Sequence, residues 1–180
     1  MSLLQFCQWL QDTDFFTALR GSWYVYPAVM SLHLTAIAVS GGLILFTDLR
    51  LLGIALTKYR VSDVVNGLRW PKRIGFLVVA TCGILMLGSK AEEYYYNAFV
   101  WAKLSLLATV GVHALIFRPS IYNHPETLDG ASEMPGRAKA AAALSMLLWV
   151  SIACMGRGIG YIETPVEKIH ALLTTPSALR

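Results

Sequence analysis

A chain of 180 residues that is 56% hydrophobic, 14% charged and has a mean hydropathy of +0.53 falls well short of the about 25% charge of a soluble domain. The surplus apolar surface therefore faces lipid, and there is room for one compact helical bundle over residues 1–180 but not for a separate catalytic domain. A formal net charge of +4, carried mostly in loops, reads as headgroup contact and topology signal and excludes nucleic-acid binding.

The chain opens on an apolar stripe of Leu3, Leu4, Phe6, Trp9 and Leu10. With no basic residue at its start and with Asp12 and Asp14 following, it predicts a short helix lying in the membrane interface, not a cleavable signal. Asp12 or Thr13 would cap a second short turn through Phe15 and Phe16.

Four apolar runs follow, at about residues 23–47, 71–89, 97–117 and 138–161. Each has the roughly 17 to 25 residues a helix needs to cross hydrocarbon, with Trp and Tyr at the ends as interfacial anchors. The expected fold is an all-α integral membrane protein, a four-helix up-down bundle preceded by the short interfacial helix. Arg50, Lys58, Arg60, Arg69, Lys72, Arg73, Arg118, Arg137 and Lys139 fall on one side of the spans. The positive-inside rule then places both termini outside a bacterial cell membrane. Ala138 to Ala143 supplies small residues that let the last span approach its neighbours. Cys7, Cys82 and Cys154 are widely spaced, so no disulfide framework is expected.

An imidazole in hydrocarbon needs a protein partner, a metal or a proton path, which makes His33 in the first span and His113 in the third the leading site residues. The face of His33 holds Ala36 and Ser40, followed by Gly41 and Gly42, small neighbours that suit a flat cofactor such as haem b. Spans one and three run in the same direction and lie diagonally in an up-down bundle, so the two rings could serve one iron. Their depths, about 15 Å and about 24 Å below the outer ends, differ by roughly 9 Å. Met86 and Met155 match the level of His33 better.

Near the outer ends, Lys103 and the glycine-flanked Arg157 could meet haem propionates or lipid phosphates, and Lys103 could alternatively pair with Glu92 or Glu93. Those two glutamates themselves read as exposed loop charges. Asp48 and Arg50 are expected to form ion pairs that pin the inner end of span one. His124 and His170 read as solvated. No nucleophile elbow, phosphate loop or HExxH motif is present.

The string SLHLTAIAVSGGLILFTDLRLLG around His33, the Asn97-Ala98-Phe99 run leading to Lys103, and Gly156-Arg157-Gly158-Ile159-Gly160-Tyr161 resemble an uncharacterised bacterial family of four-span membrane proteins over most of the chain. A histidine followed by paired glycines is also similar to copper-resistance D-type proteins and bacterial b-type membrane cytochromes. The resemblance implies a haem-binding helical bundle. Three functions stay open: a haem b electron carrier between quinone or a partner redox protein and another centre, a copper-handling protein using His33 with Met30, Met86 and Met155, and a structural membrane subunit. The carrier leads, with His33 and His113 as ligands and Arg157 and Lys103 on the propionates. It would work as a subunit in contact with lipid and other redox proteins.

Overall fold

The structure, a computed structural model, describes residues 1–131 and 133–161; His170 lies outside them. Among these residues the chain is helical, with no strand. Two short helices, α1 (Leu3–Gln11) and α2 (Asp14–Gly21), precede the long α3 (Val25–Leu52). Then come α4 (Val61–Gly67), α5 (Arg69–Ser89), α6 (Ala91–Tyr95), α7 (Ala98–Phe117) and α8 (Gly136–Gly158). Four segments are long and apolar enough to cross a membrane: Val25–Leu52, Val61–Ser89, Ala98–Tyr122 and Gly136–Tyr161. They alternate in direction. One end of the bundle carries the described N-terminal helices and the end of α8; we call it the terminal end. The other carries the connections after α3 and α7, the loop end.

Local chemistry explains the boundaries. Ser2 and Gln5 form a reciprocal capping box that starts α1. Thr13 occupies the N-cap position of α2, but its hydroxyl donates to the Leu10 carbonyl at 2.9 Å and not into the helix. The α1 helix docks on α6 through Gln8 and Gln11, whose amides donate to Glu92 at 2.7 and 3.3 Å. Arg20 of α2 donates to the Ser89 carbonyl at 2.8 Å. Leu3, Phe6 and Trp9 remain exposed on α1. That leaves an apolar side free for an interface.

Span one runs five residues past its expected end at Thr47. No residue between Thr47 and Leu52 breaks a helix, and Gly53, at φ +76°, ends it in the left-handed conformation glycine adopts without strain. The Gly53 and Ile54 amides close back on Arg50 and Leu49 at 3.1 and 3.0 Å, the paired bonds of a Schellman cap. Span three also outlasts its expected stop at Arg118–Pro119. Proline has no N–H and crowds the preceding turn, so α7 widens into a π turn, Arg118–Tyr122, closed by the Asn123 amide on the Arg118 carbonyl at 2.9 Å.

Packing is uneven around the bundle. The α3 helix packs most extensively on α5 and also on α8, and α8 packs on α7, whereas α5 and α7 make little contact. A close approach of α3 and α5 occurs at Gly75, where a side chain would strike the Ser40 hydroxyl. The buried apolar cluster gathers at the loop end, from Leu51, Val61, Val65, Ile121, Leu128, Ala138, Ala141 and Ala142. The alanines of α8 supply the close approach their size predicts.

Candidate functional site

The extra turn of α3 carries Asp48 into the bundle, where it is 1% exposed. The Ser145 hydroxyl of α8 lies against its carboxylate, and Lys72 of α5 faces it electrostatically without a direct ion pair. The ammonium of Lys72 instead donates to Thr47 at 3.0 Å. Oδ2 of Asp48 has no hydrogen-bond partner among the described residues. Buried carboxylate oxygens are rarely left so, because desolvation without a partner is costly.

These groups surround a cavity of about 140 Å³ lined by Asp48, Lys72, His113, Tyr122, Ser145 and Trp149, among others. It is large enough for several waters, since one water needs on the order of 10–15 Å³, and its mostly apolar wall carries these few polar groups. It falls below the roughly 300 Å³ of a small-molecule pocket. The π turn after α7 delivers Tyr122 to this wall, and Arg69 holds that turn by donating to the Tyr122 carbonyl at 2.7 Å.

His113 belongs to this loop-end cavity. Its ring is buried, packs on Phe117 at 4.8 Å and places Nε2 3.0 Å from the Ala141 carbonyl of α8. A carbonyl only accepts, so Nε2 carries the proton and Nδ1 is left as the acceptor of the neutral ring. His33 belongs elsewhere. Its Cε1 would lie 3.3 Å from a side chain at Gly83 of α5, the Val79 carbonyl faces the ring, and Lys103 of α7 acts on it electrostatically. Nδ1 of His33 is buried with no partner among the described residues.

The four residues singled out from sequence therefore divide. His33 and Lys103 come together in the terminal-end half, while His113 sits in the loop-end half on another helix pair. Fifteen residues separate His33 from Asp48 on α3, about 22 Å along the axis. Arg157 joins neither group: its exposed side chain donates to the Tyr161 hydroxyl at 3.1 Å and lies over that ring. A haem iron shared by His33 and His113 does not fit this arrangement, because the rings face different helices and His113 Nε2 is engaged by a carbonyl. Among the described residues, no three His, Cys, Asp or Glu side chains converge on a metal position.

Other expectations are corrected by the geometry. Arg50 does not pair with Asp48; it donates to the Tyr59 carbonyl at 2.9 Å and so ties the loop to the helix end. Glu92 and Glu93 are half-buried and engaged, the first by Gln8 and Gln11 and the second by Lys90 at 2.9 Å, which leaves neither for Lys103. His124 is exposed as expected, 3.2 Å from Glu126.

Asp48, Lys72, Ser145, Tyr122 and Trp149 escaped the sequence reading. Asp48 and Lys72 read as interface charges because the expected span one stops at Thr47, five residues before the helix ends, and the expected span two starts at 71, two residues after the helix begins. The available signal was an uninterrupted helical pattern up to Gly53.

No curated protein and no solved structure matches the chain. Residues 6–162, all four membrane-length segments among them, match one family model, and the chain belongs to that family, a family of unknown function (DUF6644).

Proposed function

We propose that this protein handles protons in a membrane, with Asp48 as the group that takes and releases them through the loop-end cavity. One observation carries the reading: a carboxylate inside a membrane-length helix, 1% exposed, keeps an unpartnered oxygen beside a cavity that other polar side chains also line. Ionisable groups in such positions are expensive to keep and commonly mark proton or ion paths. The neighbours suit the task. Lys72 supplies countercharge to the carboxylate, His113 lies on the same wall, and Ser145 orients the carboxyl group.

The membrane is read as the bacterial cell membrane with the loop end inside, supported by Lys58, Arg60, Arg73, Arg118, Arg137 and Lys139 on that side. The test is proton flux into proteoliposomes containing a pH-sensitive dye, driven by a potassium diffusion potential. Wild-type protein should conduct above lipid alone, and Asp48→Asn should lose at least about tenfold, or 1.4 kcal/mol in barrier height. Equal flux in both, or none in wild type, overturns the reading.

A second reading is favoured by the unpartnered Nδ1 of His33. This is the haem b electron carrier suggested by the likeness to copper-resistance D-type proteins and b-type membrane cytochromes, now with His33 as the single histidine ligand. Met86, one helical turn from Gly83 on α5, lies on the same side. Quinone or a partner protein would exchange electrons with it. Protein purified in colour, with a Soret band that shifts on dithionite reduction and disappears in His33→Ala, supports this reading; colourless protein that does not take up added haemin sinks it.

A further inference from the structure

Lys72 stands in the first turn of α5, opposite two adjacent residues of α3, Thr47 and Asp48. All three line the loop-end cavity. The ammonium donates to the Thr47 hydroxyl at 3.0 Å, although Asp48 Oδ2 beside it has no hydrogen-bond partner. Among the described residues the ion pairs are Lys90 with Glu93 and His124 with Glu126, so Lys72 and Asp48 form none.

Electrostatics favours the opposite choice. Away from water an ammonium is drawn far more strongly to an ionised carboxylate than to a neutral hydroxyl. The flexible four-carbon stem of a lysine can serve either of two adjacent neighbours. The observed pairing is the one that suits a carboxyl group carrying its proton, and Thr47 is built to hold it. Thr47 is 1% exposed and gives its own proton to the Leu43 carbonyl one turn back, at 3.1 Å. Its oxygen is thereby left as an acceptor for Lys72.

The remaining groups around Asp48 are committed elsewhere. Ser145 of α8 lies against the carboxyl group itself. From α7 and its π turn come His113, with Nε2 on the Ala141 carbonyl, and Tyr122. Arg69 of α5 acts on Lys72 but donates to the Tyr122 carbonyl, and Arg50 of α3 donates to the Tyr59 carbonyl. Asp63 of α4 is exposed. Among the described residues, Lys72 is the cation whose placement sets the charge on Asp48.

We infer that Thr47 is the positioning residue of this site: its hydroxyl holds the Lys72 ammonium off the Asp48 carboxyl group and so keeps that group able to take up a proton from the cavity. The inference rests on Asp48 as the proton-handling group. Without the hydroxyl the ammonium turns to the carboxylate, and the resulting ion pair locks Asp48 in its charged form.

The test follows the Asp48 carboxyl group directly. Infrared difference spectra of the full-length protein in liposomes, recorded across a pH titration, give the carbonyl band of the protonated group, assigned by its loss in Asp48→Asn. Thr47→Val should lower the midpoint of proton uptake by at least about one pH unit, the effect of an opposite charge brought into contact. Proton flux at neutral pH should fall with it. Thr47→Ser keeps the hydroxyl and should restore the wild-type midpoint. Lys72→Met added to Thr47→Val should cancel the fall, because no ammonium is left to move. A midpoint in Thr47→Val equal to or above that of wild type, a fall that persists with Lys72→Met, or a carboxyl band that does not titrate in wild type overturns the inference. Should Thr47→Val fail to fold, Thr47→Ala must show the same fall. An unshifted midpoint in Thr47→Val, with flux still dependent on Asp48, sinks the role of Thr47 alone. The expected midpoints without any wild-type flux sink proton conduction and leave the role of Thr47 in place.

Discussion

The loop end and the terminal end of this bundle use buried polar residues in opposite ways. At the loop end Asp48, Lys72, His113, Ser145 and Thr47 are roofed by an apolar cluster from α3, α4, α8 and the α7–α8 connection. Most of their polar atoms are satisfied from within: Lys72 by Thr47, His113 by the Ala141 carbonyl, Asp48 in part by Ser145. At the terminal end His33 has the Val79 carbonyl against its ring but an unpartnered Nδ1, and Lys103 has no carboxylate within ion-pair distance among the described residues. The loop-end cavity is of a size suited to small hydrogen-bonded species such as water. The same residue type, a histidine in a span, thus serves two environments.

The comparison can be sharpened by removing partners at each end. Ser145→Ala strips the Asp48 carboxylate of its hydroxyl partner and should cost about 2 kcal/mol, the penalty of an unsatisfied buried group. Unfolding in mixed detergent measures it, and a cost near zero would break the picture of a satisfied loop end. His113→Ala should cost less, about 1 kcal/mol, as expected for one interhelical hydrogen bond in a membrane protein. His33→Phe removes the bond between the ring and the Val79 carbonyl of α5 and should likewise cost no more than about 1 kcal/mol. A large destabilisation there would mean that His33 holds the bundle together and does not serve a ligand.

The smallest expected effect lies outside the membrane segments. Asp129 accepts from the Ser62 amide at 2.9 Å and from the Ser62 hydroxyl at 2.5 Å, and these bonds hold its carboxyl below the usual carboxylate range. Because the folded value is depressed, this clasp between α4 and the α7–α8 connection is fully present above the ordinary value, about 3.9. It is lost as pH falls through the depressed one. Ser62→Ala should raise the Asp129 midpoint toward the ordinary value, as read by carboxyl NMR titration, with a small loss of stability at neutral pH that vanishes in acid. An unchanged midpoint would remove Ser62 as the cause.

Periodicity and length made the four spans legible, since any stretch of about twenty apolar residues must hide its backbone polar groups in a helix. The histidines stood out for an equally local reason: hydrocarbon makes an imidazole conspicuous wherever it falls. Depth along a helix was legible too. The roughly 9 Å offset between His33 and His113 follows from counting residues, and the structure resolves it by giving the rings different partners. Asp48 was a harder case. Charges near span ends normally mark the interface, and only the Schellman cap at Gly53 shows that Asp48 lies within the helix. The π turn at Pro119 likewise moved Tyr122 from an expected loop to the cavity wall.

The chain's own chemistry determined its helices, their order and the number long and apolar enough to cross a membrane, because backbone hydrogen bonding and hydrophobic length act within each segment. Which helices touch was a decision of the tertiary structure alone, set by where small residues such as Gly75, Ala141 and Gly83 allow close approach. That choice, and no motif, separated His33 from His113 and joined Asp48 to Lys72.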